Sequence, residues 1–394
     1  MSKLDFSKPG KIGLSEDALD RLTTVLEREI GEGRAPGAVA LVAREGRIGH
    51  LKALGRRDPG ADDPMATDSI FRIYSMTKPI VSVAVMQLVE EGRILLADPL
   101  FKYVPAFADV KVGVEREDGG LDLVEPDRPI TIQDLLRHTS GLAYDFTGEG
   151  AVQRMYAQAN LGRLSQTNAD QAEALAKLPL LRQPGLGWDY GRSTDVLGRV
   201  VEIVSGRPLG EELAARVFEP LGMKDTGFAV PADKRGRVAE PFPQDPDTGE
   251  PVRLLPPRDD VRFESGGGGL FSTAMDYARF CAMLAGGGTL GKTRILGRKT
   301  VELMASDHLD PAVAIGSDLL PPGHGFGLGF AVRTAPGLAA TPGSVGTFYW
   351  GGVAGTTFWI DPKEDMFALL MIQAPGRRDH FWTLFRSLAY AAVE

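Results

Sequence analysis

The sequence predicts a fold of the α/β (α+β) class: one antiparallel sheet flanked by helices, plus an inserted, mainly helical domain. Three observations carry this. PGAVALVAREGRIGHLKALG (36–55) alternates about the turn REGR, a hairpin signal close to the N-terminus. In the C-terminal third, GFGLGFAVRT, GTFYWGGVAGTTFWIDP and MFALLMIQA are rich in aromatic and β-branched residues, with turn signals between them. The stretch between the two ends leans to helix and loop. Strands at both ends imply a single sheet built from both. The expected division is 1–85 with 246–394 as the α/β domain and 86–245 as the helical one.

Taken in order, SEDALDRLTTVLEREIGEG (15–33) reads as an amphipathic helix capped by Ser15, with Leu19, Leu22, Val25, Leu26 and Ile30 on its apolar face. From Pro79 to Glu91 the apolar residues cover every face and Gly92 stops the run, the pattern of a helix buried in a large domain. EREDGGLDLVEPDRP (115–129) reads as an acidic surface loop or short hairpin. TIQDLLRHTSG (131–141), NADQAEALAKL (168–178) and STDVLGRVVEIVSG (193–206) read as helices. PFPQDPDTGEPVRLLPP (241–257) holds six prolines and reads as a wandering connection. HFWTLFRSLAYAAVE closes the chain as a helix.

Composition narrows the function classes. The chain has 394 residues, 43% hydrophobic and 24% charged, as expected of a soluble globular protein able to bury a sizeable core. A net charge of −8 without any basic cluster argues against nucleic acid or an anionic membrane as partner. The single cysteine, Cys281, excludes an internal disulfide and a multi-cysteine metal site, and its apolar helical setting (DYARFCAMLAG) suggests a buried, inert thiol. The N-terminus has no apolar leader segment and no run reaches transmembrane length, so the expected location is the cytoplasm. The oligomeric state is not legible.

FRIYSMTKPI (71–80) holds the chemistry. Ser75 and Lys78 stand three apart, ahead of the buried helix. One Ser-x-x-Lys match is no more than chance supplies in this chain, so the context must decide. Positions i and i+3 share a helix face, so the lysine can reach the hydroxyl. A lysine in a buried, electropositive helix start has its charged form destabilised and can serve as a base near neutral pH. The plainer alternative makes Ser75 an N-cap and Lys78 a solvated first-turn residue. Pro79 complicates helical geometry at Lys78 and is tolerable only near the first turn.

No G-x-S-x-G elbow is present, and the five histidines His50, His138, His308, His324 and His380 leave a Ser-His-Asp triad unsupported. Tyr190, in RQPGLGWDYGRSTDVLG, sits on a tight loop before a helix. It is either a proton-transfer group drawn towards phenolate by a lysine or a tyrosine packed on Trp188. YWGGVAG (349–355) is a strand with paired glycines: either a bulge with Trp350 in the core, or a close approach that leaves N–H groups facing an oxyanion. The glycines of ESGGGGLFSTAMDYARF lack a following Gly-Lys-Ser/Thr, and read as a turn into a helix capped by Ser272 or Thr273.

In chain order, Ser75-x-x-Lys78, Tyr190 and Trp350-Gly351-Gly352 resemble the three active-site elements of the serine β-lactamase and penicillin-binding-protein superfamily. The layout is most similar to its class C β-lactamase-like branch, and there to the family VIII carboxylesterases. SMTKPIVSVAVMQLVEEGRILLADPLFKYVPAF, TIQDLLRHTSGL, EPLGMKDTGF and GGLFSTAMDYARF extend the likeness over residues 15–390. The resemblance implies a β-lactamase-like fold with the site between its domains, and no metal or other cofactor. It implies Ser75 as acylated nucleophile, Lys78 as its base and Tyr190 as partner in proton transfer. The backbone N–H groups of Ser75 and Val353 would form the oxyanion hole.

The departures concern substrate. β-Lactamases of this branch carry Tyr-x-Asn and Lys-Thr-Gly; here Tyr190 is followed by Gly191 and Arg192, and the strand reads Trp350-Gly351-Gly352. Without that lysine the site lacks a cation for a β-lactam or peptide carboxylate. Trp350 offers an apolar wall instead, and Arg192 is a replacement cation only if it points inward. The expectation is a serine carboxylesterase acting on small, short-chain esters. The alternatives are a β-lactamase or D-amino-acid peptidase, an acyltransferase, and a catalytically silent binding protein.

Overall fold

The computed structural model describes residues 4–316 and 318–394. Eight strands stand in line: β1 (Asp5–Phe6), β2 (Gly37–Arg44), β3 (Arg47–Asp58), β4 (His324–Phe326), β5 (Ala331–Arg333), β6 (Phe348–Gly351), β7 (Thr357–Asp361) and β8 (Met366–Ile372). Their spatial order is β1-β3-β2-β8-β7-β6-β5-β4, with Asp63–Pro64 pairing on β3. The two ends of the chain meet where β8 lies antiparallel to β2, from Met366 opposite Arg44 to Ile372 opposite Ala38. Glu45 and Gly46 both take positive φ (52° and 68°), the backbone of a tight hairpin turn whose twist matches its strands.

The sheet is mixed rather than wholly antiparallel. β1 runs parallel to β3, Asp5 opposite Arg47. A parallel neighbour needs a long return path, and helix α1 (Glu16–Gly31), capped by Ser15, lies on it.

Alternation along β2 divides two cores. Ala38, Ala40 and Val42 pack with Leu19, Leu22, Leu26, Phe381 and Phe385, from α1 and the C-terminal helix Arg378–Tyr390. Val39, Leu41 and Ala43 face the larger core, with Phe280 and the helix α2 (Thr77–Glu90). Pro79 is the third residue of α2, where the missing N–H would have had no helical acceptor, and so it does not break the helix. No helix among the described residues is long and apolar enough to cross a membrane.

The helix expected over 131–141 stops at Leu136. A capping box of Thr131 and Asp134 starts it, and His138 then adopts a left-handed φ of 58° that ends helical geometry. Among the elements without a sequence expectation are helices Ala151–Gln158 and Arg298–Met304 and the π-helical turn Ala214–Phe218. Thr273, not Ser272, caps Ala274–Ala285 by accepting from Asp276 N–H at 3.2 Å. Cys281 in that helix is wholly buried, and burial holds its thiol well above the usual range.

Candidate active site

Ser75 lies in a 3-10 turn, Tyr74–Met76, that runs straight into α2. Tyr74 before it is held at φ 43°, sparsely populated for a bulky residue. Its hydroxyl accepts from Leu255 N–H at 2.8 Å, which ties the strained residue to the proline-rich connection. The turn puts Ser75 at a cavity of about 400 Å³ and leaves Lys78 one turn below, 1% exposed.

Lys78 Nζ has three neighbours: Ser75 Oγ at 3.2 Å, Tyr144 Oη at 3.1 Å and the carbonyl of Gly267 at 2.6 Å. A neutral amine has two N–H donors and one lone pair, so with its donors on Gly267 and Tyr144 the lone pair faces Ser75. Burial pulls the lysine pKa down to about 7, assisted by Arg192 and opposed by Asp195. Asp195 also braces the acceptor: one carboxylate oxygen takes Gly267 N–H at 2.9 Å and Ser265 Oγ at 2.6 Å. Only glycine fits at 267, since a Cβ there would press on both Asp195 and Tyr144 Oη at 2.8 Å. The glycine run is thus the floor under the lysine, a role beyond the turn expected of it.

Tyr190 is 5% exposed, and its ring lies under Lys78, with Nζ 4.5 Å from the centroid. Its hydroxyl accepts from the indole N–H of Trp350 at 3.1 Å. Burial raises its pKa, more than the hydrogen bonds to Ser75 and Trp350 lower it. Burial thus opposes the drift towards phenolate, one of the two sequence readings, and the lysine lies over the ring face. Gly191 has no room for a side chain, which would run into the Leu142 carbonyl.

Trp350 closes one wall. Gly351 and Gly352 follow it, and Gly352 is held against the backbone of Ile73, two residues before Ser75, where a Cβ would strike the Ile73 carbonyl. That contact brings the turn after β6 beside the serine. Val353 there is 47% exposed, lines the cavity with Ser75, and its N–H has no backbone acceptor among the described residues.

Arg192 also lines the cavity, but its guanidinium lies 4.8 Å from the Tyr144 ring centroid, between Asp145 at 3.7 Å and Asp195 at 3.6 Å. Two carboxylates engage its charge. None of the five histidines lines the cavity. His138 packs against Tyr190, Trp188 and Phe326, and burial holds its pKa well below the usual value.

The sequence reading missed Tyr144, Asp195 and the Gly267 carbonyl. Asp195 could have been suspected, since it lies in the first turn of the helix that follows Tyr190. Nothing local marks Tyr144, which reaches Lys78 only through the tertiary fold.

The beta-lactamase family pattern matches residues 22–390. The chain is 40% identical over 354 residues to protein Rv1367c of Mycobacterium tuberculosis, covering 86% of each. It is 35% identical over 372 residues to esterase EstB of Burkholderia gladioli, covering 89% of each. Among solved structures it is similar to "EstCE1, a hydrolase with promiscuous acyltransferase activity", with a TM-score of 0.80, 30% identity and coverage of 95% and 99% of the two chains. The chain belongs to the beta-lactamase family, in its family VIII esterase-like branch, and is a serine hydrolase.

Proposed function

We propose that the chain is a carboxylesterase that cleaves short-chain carboxylic esters through an acyl-enzyme on Ser75. The observation carrying this is the wholly buried Lys78 amine, 3.2 Å from Ser75 Oγ, with its other two neighbours placed to accept its protons. Neutral Lys78 takes the serine proton as Oγ attacks the carbonyl carbon. The oxyanion forms against the N–H groups of Ser75 and Val353. The C–O bond to the alcohol then breaks, and the leaving oxygen takes a proton from the Lys78–Tyr190 pair. Water, deprotonated by the same pair, releases the acid and returns the proton to Ser75. The proposed division assigns the α/β side of this site to 1–85 with 246–394 and its helical side to 86–245.

The walls suit apolar groups on either side of the scissile ester. Phe146, Leu164, Phe228, Val261, Phe263 and Trp350 dominate the cavity, and Trp350 stands where the related β-lactamases hold a lysine. Esters rather than β-lactams follow, because a β-lactam carboxylate meets no cation at that strand. Acyl transfer to an alcohol is a second reading, favoured by the similarity to EstCE1 and requiring only that the alcohol replace water.

One preparation assayed with a chromogenic butyrate ester and a chromogenic cephalosporin tests the reading. The expected result is fast ester and slow or absent cephalosporin turnover. Equal or faster cephalosporin turnover would transfer the site to β-lactam hydrolysis. Trp350→Phe keeps the wall but strips Tyr190 of its N–H donor, so kcat is expected to fall roughly tenfold with little change in KM. A rise in KM at constant kcat would show that Trp350 serves only as a wall.

A further inference from the structure

Every charged side chain lining the cavity is an arginine: Arg192, Arg258 and Arg378, with no aspartate or glutamate among them. In a chain of net charge −8 this reverses the overall sign. Two of the three are engaged. Arg192 lies between Asp145 and Asp195. Arg378 pairs with Asp379 at 3.0 Å and lies over the Trp382 ring.

Arg258 differs. Its neighbour Asp259 is taken by Arg235 at 2.7 Å. Among the described residues no carboxylate forms an ion pair with Arg258, and its buried Nε has no hydrogen-bond partner. The backbone holding it is pinned: Val230 N–H donates to the Arg258 carbonyl at 2.9 Å. Three residues earlier, Leu255 donates to Tyr74 Oη at 2.8 Å and accepts from Arg72 Nε at 2.5 Å. The stretch carrying the cation is thus tied to the residue preceding Ser75. Leu255, Val261 and Phe263 line the same cavity, so Arg258 is a cation at the edge of a largely apolar space. Only Nε is buried without a partner, so the half-buried fork stays open to an incoming anion, and its planar geometry matches a carboxylate.

We propose that Arg258 recognises a carboxylate carried by the ester substrate away from its scissile bond, as in a half-ester of a dicarboxylic acid or an ester whose alcohol part bears an acid. This rests on the esterase reading and narrows its substrate class. The anion would bind on the Arg258 wall, not at the strand position where the related β-lactamases hold a lysine.

Two matched pairs test it: para-nitrophenyl hemiglutarate against para-nitrophenyl valerate, and meta-carboxyphenyl butyrate against meta-tolyl butyrate. The readout is the charged-to-neutral ratio of kcat/KM, compared between the unaltered enzyme and Arg258→Gln, which cancels intrinsic reactivity and general effects on the cavity. The ratio is expected to fall roughly 10–100-fold in one pair, mainly through KM. The pair affected identifies the acyl or the alcohol side. Arg258→Lys keeps the charge and is expected to retain part of the ratio, which separates recognition from misfolding. A ratio unchanged by Arg258→Gln in both pairs would overturn the proposal. Failure to hydrolyse the neutral esters in a Ser75-dependent manner would instead remove the esterase reading beneath it.

Discussion

Ser75→Ala is expected to abolish turnover of every acyl substrate, with a loss of roughly a million-fold, the scale on which removal of a hydrolase nucleophile acts. The size follows from chemistry: without Oγ no acyl-enzyme forms, and the oxyanion donors alone have only a positioned water to assist. The fold is expected to survive. The hydroxyl bonds Lys78 and Tyr190, and when the serine is shortened the amine keeps the Gly267 carbonyl and Tyr144 Oη while Tyr190 keeps the Trp350 indole. Steady-state kinetics on a chromogenic butyrate, with a thermal melt alongside, reads both. A mass increase from a slow acylating ester should appear on the unaltered chain and be missing from the variant. Undiminished activity in pure Ser75→Ala protein would remove the acyl-enzyme mechanism altogether.

Lys78→Met is expected to lower kcat/KM by roughly 10²–10⁴-fold, the usual contribution of a positioned base, and to change its pH dependence. In the unaltered enzyme the lysine is neutral above about 7, because burial pulls its pKa down from the ordinary value. The sign is therefore fixed: kcat/KM rises with pH through that region as the ammonium loses its proton and becomes a base. Methionine cannot titrate, so the rising limb should disappear along with the rate. A rising limb that persists in the variant would assign it to another group and displace Lys78 as the base. The substitution also leaves the Gly267 carbonyl and Tyr144 hydroxyl without their partner, so some loss in melting temperature is expected and does not bear on the mechanism.

How legible the molecule was depended on whether the information was local. The strands showed through their β-branched and aromatic runs, and α2 through a pattern apolar on every face. The helix over 131–141 was too long because its end rests on one backbone angle, at His138, which helical periodicity does not signal. The parallel edge strand was missed for a related reason: two residues, Asp5 and Phe6, are too short to carry a pattern, and only the return path through α1 sets their direction.

The site divides in the same way. Ser75, Lys78 and Tyr190 stand in motifs whose spacing and setting can be read along the chain, and so does the replacement of a strand lysine by Trp350. Tyr144, Asp195 and Gly267 carry no such spacing. They gather around one amine because Gly266, Gly267 and Gly269 allow close approach where a Cβ would collide. The sign of the Tyr190 shift and the pairing of Arg192 belong to the same class. By itself the sequence determined the sheet-and-helix class and pointed to the proposed nucleophile and its lysine, since apolar periodicity and motif order are read along the chain. The tertiary structure alone decided the lysine's partners and which arginine is left unpaired. Those depend on burial and on distances between segments far apart in the chain.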